Sequence, residues 1–325
     1  LNVCLAAALV VNIIFALARP GFWGTAVIFL LLGILELNAY PIIDAMAVQF
    51  IGMGWNINYS LGRGLGSLSY AVTGAALGYQ AERLGVESVL ITHGILLLLL
   101  VFIIARYPKA DRIEMPTSDA ADQPHSVWYI LRSNKSFSLM LAAIFLSMTA
   151  VKPAASFLIN IIEDKGGSEA HLGTALFLMA GMELVTGFFF PKLKKSFSSA
   201  VLMTLAVFFM ALKPVLFLLA PTLGWLLAAQ PIQMLGNGLF NPTAVYYANE
   251  NVPVADQVRG QAIMMMVSSG LGGMIGNLIA GYAIDWGGVS FMLALSGGIG
   301  FIGVVLAGIA VAIGKTTPLV SSRKI

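Results

Sequence analysis

The chain has 325 residues, of which 58% are hydrophobic and 10% are charged, with a formal net charge of +3. Soluble globular domains carry about 25% charged residues. This composition, with a mean hydropathy of +0.89, therefore excludes an ordinary soluble domain and predicts an integral membrane protein. The single cysteine, Cys4, excludes an intrachain disulfide and a cysteine-ligated metal cluster. The small net charge gives no indication of a nucleic-acid partner, and none is expected.

Apolar segments long enough to cross a bilayer, at about 20 residues for each helical span, follow one another along the whole chain. Runs such as ILLLLLVFII indicate helices, because the alternating pattern of barrel strands is absent. The sequence predicts an all-α membrane protein with these ten spans: 1–18, 22–47, 59–82, 87–106, 136–161, 169–191, 199–219, 223–248, 258–284 and 289–314.

The basic residues of the connections predict the orientation, because Lys and Arg are concentrated in cytoplasmic loops. If the first span runs outward from the cytoplasm, 13 of the 18 basic residues lie in cytoplasmic loops or the tail and 3 in outer loops. The other two, Lys152 and Lys213, lie within spans. We expect a multi-pass protein of the cell (inner) membrane with its linker and C-terminus in the cytoplasm.

The chain also contains an internal repeat. Residues 22–106 align with residues 225–309 at a shift of 203 residues without a gap, and the Gly–Tyr pair at 78–79 falls on the same pair at 281–282. Matched spans cross the membrane in the same direction. This is the parallel relation between the two halves of transporters of the major facilitator superfamily.

The alignment leaves the spans within 136–191 without partners, because their partners would precede residue 1. We expect a major facilitator fold with ten of its twelve helices present, four in one bundle and six in the other. A natural ten-span protein is the alternative. The expected domains are an N-terminal bundle (1–106) that lacks its first two helices, a polar cytoplasmic linker (107–134), a six-helix bundle (135–316) and a cytoplasmic tail (317–325).

Five ionisable side chains lie well inside the predicted spans, where a charge costs on the order of 3 kcal/mol by insertion scales. Such residues face either a charged partner, which fixes helix packing, or a water-filled cavity. We expect Glu183 to face the bundle interior with Lys152 or Lys213 in direct or water-bridged reach. Glu36 lies about 12 Å along its helix from Asp44, at 1.5 Å per residue. It is expected to pair within the N-terminal bundle.

Asp44 and Arg63 are expected to meet, because they lie at the cytoplasmic ends of consecutive predicted helices. Pro41 would bend the first helix so that Asp44 reaches a cavity. Tyr70 lies two turns from Arg63 on the same helix face. A carboxylate, a guanidinium and an aromatic ring suit a polyhydroxylated ligand, with the ring against the apolar face of a sugar. Ordinary interior packing is the alternative for Tyr70.

The stretches PIIDAMA, LGRGLGSLSYA, LMAGMELV and IQMLGNG resemble the lactose permease branch of the major facilitator superfamily, the oligosaccharide–proton symporters. The resemblance implies that Asp44 binds sugar and pairs with Arg63, and that Tyr70 stacks on the sugar ring. It implies that Glu183 joins sugar binding to proton coupling. It also places Lys213 near the position of a coupling arginine.

This sequence departs from that branch at the coupling positions. Gln233 lies where the branch has a coupling histidine, and Gly236 where it has a proton-carrying glutamate. Neither Gln nor Gly titrates, so coupling is altered or is moved to Glu183 or Glu36. Lys152 has no counterpart and favours an anionic substrate.

These residues predict a secondary active transporter of a small polar solute, a sugar or oligosaccharide, coupled to a proton or sodium ion by alternating access. It would work as a monomer in the bilayer, without cofactor, metal or catalytic residues. An exporter of drugs or organic anions is the alternative within transport, and a non-transporting remnant the alternative outside it. An enzyme is not expected, because the three histidines are scattered. The predicted substrate-binding residues are Asp44, Arg63, Tyr70, Gln233 and Asn237, and the predicted coupling residues are Glu36, Lys152, Glu183 and Lys213.

Overall fold

The computed structural model describes residues 1–18, 20–37, 39, 42–43, 46, 50, 53–56, 59–106, 125–253 and 256–316. Its regular elements are all helical, and no strand occurs in these ranges. Five helices are long and apolar enough to cross a membrane, and Asn2–Ala18 and Phe22–Leu37 are shorter apolar helices. The predicted all-α membrane fold is therefore confirmed, whereas the number of ten spans remains a prediction.

The chain divides into two units. The first unit comprises Leu1–Gly66 and Ala76–Ser118, and the second comprises Ser67–Ala75 and Asp119–Ile325. Residues 107–124 of the predicted linker, the predicted tail 317–325, and Pro41 and Asp44 lie outside the described residues. The expected division into four and six helices stays a prediction.

The first unit is built from three whole helices and the two ends of a fourth, whose residues Ser67–Ala75 belong to the second unit. α1 contacts both α2 and α4, and the contact is apolar, with Leu5, Leu32 and Leu97 buried between the helices. The side chain of Gln80 donates to the Ser88 carbonyl at 2.9 Å and thereby ties the end of α3 to the start of α4. The four helices are α1 (Asn2–Ala18), α2 (Phe22–Leu37), α3 (Tyr59–Leu84) and α4 (Glu87–Ala105).

The second unit has longer helices around one central helix, α6. More than half of the 22 residues of α6 are buried, and it lies against α9 and α13. The elements are α5 (Val127–Ser133), α6 (Lys135–Ser156), α7 (Leu158–Asp164), α8 (Glu169–Ser196), α9 (Ser199–Leu219), α10 (Leu223–Ala228), a 3₁₀ helix (Gln230–Met234), α11 (Asn237–Asn251), α12 (Gln257–Met265), a π-helical segment (Met266–Gly272) and α13 (Gly273–Thr316).

Glycines allow α13 to approach its neighbours closely. A Cβ atom at Gly276 would lie 2.5 Å from the Thr149 carbonyl oxygen of α6, and one at Gly300 would lie 2.8 Å from the Ala211 Cβ of α9. In a membrane the hydrophobic effect does not drive helices together, because lipid tails are as apolar as the side chains. Helix association then depends on close packing, which small residues at the contacts permit. At Gly288 the backbone of α13 leaves the helical region, with φ of 72°. This kink lies at the boundary predicted between the spans 258–284 and 289–314.

The segment predicted as the single span 223–248 is a broken helix. α10 ends at Ala228, the chain continues as the 3₁₀ helix, and α11 begins at Asn237. Pro231 lies in the first turn of the 3₁₀ helix, and Gly236 before α11 has a non-helical ψ of −100°. A proline without an N–H and a glycine without a side chain make this interruption inexpensive. Transporters place discontinuous helices of this kind at substrate and ion sites.

Candidate functional site

The interrupted helix carries Gln233 between an acid and a base. The Gln233 amide nitrogen Nε2 donates to Glu183 Oε1 at 3.1 Å. The amide oxygen Oε1 accepts a hydrogen bond from Lys213 Nζ at 2.7 Å. Because an amide has one donor end and one acceptor end, this orientation satisfies the carboxylate and the ammonium together. Glu183 on α8, Gln233 on the 3₁₀ helix and Lys213 on α9 thus form one connected group, which we call the acid–amide–base bridge.

The ammonium end of this bridge is shut away from solvent. Lys213 is 1% exposed. Its Nζ lies 3.5 Å from the Met179 sulfur and 5.4 Å from the centroid of the Phe217 ring. A buried charge is stabilised by polar or polarisable neighbours, and the Met179 sulfur and the Phe217 ring serve in this way beside the Gln233 oxygen.

The carboxylate and the ammonium are joined through the amide. Among the described residues, the ion pairs do not include a direct contact between Glu183 and Lys213. The sequence predicted direct or water-bridged reach between the two, and in the structure a side-chain amide takes the place of the water. A second hydrogen bond, from Thr186 to the Met234 carbonyl at 2.8 Å, holds the 3₁₀ helix against α8 one turn from Glu183.

Lys152 lies on α6, beside α13. Its Cγ would be 3.7 Å from a Cβ atom at Gly273, and its positive charge acts on the Glu183 carboxylate. Within the described ranges, no hydrogen bond or ion pair of its ammonium is found. Lys152 therefore supplies positive charge to the same region.

Within four residues of Gln233 in the sequence, several buried polar atoms lack a hydrogen-bond partner in the described part of the chain. They include Oδ1 of Asn237 and both side-chain amide atoms of Gln230, which is fully buried. Leaving a buried polar group unsatisfied costs about 1–3 kcal/mol, so such atoms are expected where a ligand or water completes the bonding. The sequence predicted Asn237 as a site residue, but it gave no signal for Gln230, because a glutamine beside a proline has no motif.

The structure leaves the predicted sugar-binding group untested. Asp44 lies outside the described residues, and Arg63 is described in its backbone alone. Tyr70 on α3 is 55% exposed. Glu36 belongs to the first unit, where its Oε1 lies 3.2 Å from His93 Nε2 on α4. Sequence reasoning missed His93, since the three histidines are far apart along the chain.

Comparison with known proteins identifies the family. The model of the MFS_1-like family matches residues 1–294. The maltose permease of Geobacillus stearothermophilus is 26% identical over 259 residues, which cover 80% of this chain and 64% of that permease.

Among solved structures, the crystal structure of a mutant of the nucleoside transporter NupG superposes with a TM-score of 0.72 at 13% identity. The match covers 96% of this chain and 82% of that one. At this identity the match establishes the fold alone. The family match and the shared fold agree with the sequence resemblance. The chain belongs to the MFS_1-like family of the major facilitator superfamily.

Proposed function

We propose that this protein is a secondary active transporter of a small polar solute, a sugar or oligosaccharide, that works by alternating access coupled to a proton or another cation. The observation that carries this proposal is the acid–amide–base bridge on a broken membrane helix. A sugar hydroxyl both donates and accepts hydrogen bonds. At the carboxylate end of the bridge, where Glu183 is partly exposed, such a hydroxyl can donate to the carboxylate while the buried Lys213 ammonium keeps its hydrogen bond to Gln233.

The name of one relative, a maltose permease, supports a polyhydroxylated solute. The chain aligns along 80% of its length with a protein named for maltose. Both side-chain amide atoms of Gln230 and Oδ1 of Asn237, which have no partner among the described residues, would provide further donors and acceptors for hydroxyl groups. A neutral sugar also suits the bridge, since Glu183 and Lys213 already balance each other and need no charge from the solute.

An organic anion is the second candidate, and Lys152 is the observation that favours it. Its ammonium adds positive charge beside a bridge that is already balanced, and in the described part of the chain it makes no hydrogen bond or ion pair. A carboxylate solute would neutralise Lys152 inside the bundle, where an uncompensated charge is costly.

Counterflow in proteoliposomes that contain the full-length protein tests the proposal, with maltose, uridine and benzoate as probes. We expect maltose to exchange, and a proton gradient to drive its accumulation. Glu183→Gln should abolish accumulation and leave exchange intact, because Glu183 is the acid of the bridge. The matched control is Glu250→Gln, which removes an exposed carboxylate paired with Lys194 at 2.9 Å and should change neither process.

Lys152→Gln separates the two solute classes. If the solute is an anion, this variant should reduce benzoate exchange at least tenfold and leave maltose exchange unchanged. If all three probes fail to exchange in the wild-type protein, the proposed solute classes are wrong. Accumulation that survives Glu183→Gln would place coupling elsewhere.

A further inference from the structure

A cavity of about 450 Å³ lies at one end of the second unit. Its walls come from the junction of α5 and α6, the start of α9, the end of α11 and the end of α13. The sequence predicts all of these helix ends on the cytoplasmic side of the membrane, and the structure brings them together. The volume lies in the range of about 300–1,000 Å³ that is typical of small-molecule sites.

Two basic side chains line this cavity, Arg132 near the end of α5 and Lys135 in the first turn of α6. No acid occurs among the described residues of its lining. The ion pairs of the described ranges include neither base. Glu250, which lies close by in the sequence of α11, is paired with Lys194 at 2.9 Å. The lining that the structure describes therefore carries two positive charges and favours an anion.

The starts of two long helices add donors to the cavity. Lys135 is the first residue of α6, which has 22 residues, and Ser198 is the N-cap of α9, which has 21. The first N–H groups of a helix have no acceptor within it and carry partial positive charge. The Ser198 oxygen accepts a hydrogen bond from the Val201 N–H at 3.4 Å, so its O–H can donate to an anion. Phosphate groups bind where helix N-termini, hydroxyls and basic side chains come together.

The short helix α5 has the character of a helix at the membrane surface. Ile130 is 2% exposed, whereas Trp128 and Tyr129 are 64% and 51% exposed. Exposed Trp and Tyr side chains are enriched at the level of lipid headgroups. The Arg132 guanidinium lies 5.1 Å from the centroid of the Trp128 ring. We therefore expect Arg132, and the cavity that it lines, to lie at headgroup level.

Part of the lining is apolar. Val201 of α9 and Val311 of α13 line the cavity and are half-buried. A soluble phosphate ester has little apolar surface with which to cover these side chains, whereas a phospholipid covers them with its glycerol and the first part of its acyl chains. Basic pockets between membrane helices on the cytoplasmic side bind anionic headgroups. The mixed lining thus favours a lipid over a soluble ester.

We propose that this cavity binds the phosphate group of an anionic phospholipid, held by Arg132 and Lys135 with the Ser198 hydroxyl as a further donor. The site is separate from the acid–amide–base bridge, because Lys213 lies 14 residues beyond Ser199 on α9, about 21 Å at 1.5 Å per residue. The proposal therefore does not depend on which solute the protein transports.

Native mass spectrometry of the full-length protein tests lipid binding, with phosphatidylglycerol and phosphatidylcholine as probes. We expect the wild type to retain phosphatidylglycerol in preference to phosphatidylcholine, which has no net charge. The double variant Arg132→Gln with Lys135→Gln should weaken phosphatidylglycerol binding about tenfold, because it removes both basic groups from the cavity. The matched control is Lys192→Gln with Lys195→Gln. It removes the same charge from exposed positions of α8 that do not line the cavity, and it should leave the binding unchanged.

Ala200→Phe fills the cavity with a ring while it keeps both bases, and it should weaken phosphatidylglycerol binding as the double variant does. Binding that persists in the double variant, or that falls equally in the control pair, would overturn the site. If Ala200→Phe does not fold, as judged by its melting temperature, the double variant and its control decide. Glycerol 3-phosphate is the soluble probe. Displacement of the lipid by an equal concentration of it would confirm phosphate binding and overturn the phospholipid as the occupant.

Discussion

Replacing Gln233 by leucine removes both hydrogen bonds of the acid–amide–base bridge at once. The amide oxygen lies 2.7 Å from Lys213 Nζ and the amide nitrogen 3.1 Å from Glu183 Oε1. Hydrogen bonds to charged groups contribute about 1.5–3 kcal/mol each, so the loss of two predicts about 3–6 kcal/mol of destabilisation. In the variant, the Glu183 carboxylate and the Lys213 ammonium could move together and attract each other directly, which would recover part of this stability. The destabilisation is therefore expected not to exceed about 6 kcal/mol. Leucine has a volume close to that of glutamine, so a cavity contributes little.

A double-mutant cycle between Gln233→Leu and Lys213→Met isolates the bridge from the cost of each substitution. The free energy of unfolding is measured for the wild type, both single variants and the double variant. We expect a coupling energy of about 1.5–3 kcal/mol, one charged hydrogen bond. Gln257→Leu with Lys213→Met is the matched control, because the Gln257 amide bonds the Asn249 carbonyl, and it should give a coupling near zero. Coupling below about 0.5 kcal/mol for Gln233 and Lys213 would refute the bridge.

Three further predictions concern the two bundles. Gly276→Leu should lower the melting temperature sharply, because its Cβ would lie 2.5 Å from a backbone carbonyl of α6, whereas Gly281→Ala meets no atom within 4 Å and should be neutral or stabilising. Gly288→Ala should cost about 1–3 kcal/mol of unfolding free energy, since few side chains tolerate its φ of 72°; stability equal to Gly281→Ala would contradict this. Asp44→Asn and Arg63→Gln should each weaken maltose binding by about 2–5 kcal/mol, with the double variant little worse, as measured by calorimetry; normal affinity in all three would leave the pair a packing role.

The sequence by itself determined the class of this protein and much of its helical outline. Composition alone excluded a soluble domain, because burying this many apolar residues requires lipid or a very large core. The boundary between the last two predicted spans falls at the Gly288 kink, since a glycine marks a position where the backbone leaves the helix. The ionisable residues inside the predicted spans could also be identified from the sequence, because each is a charged residue within a long apolar segment.

Tertiary structure decided which of these groups meet. The sequence identified Glu183 and Lys213 but could not show that the Gln233 amide joins them, because that contact depends on how α8, α9 and a broken helix face one another. For the same reason the pairing of Glu36 with His93 was hidden by 56 intervening residues. Hydrophobicity and helical periodicity are local properties of a chain. The partner of a buried charge is set instead by the packing of separate helices, which small residues such as Gly276 permit and which no local pattern records.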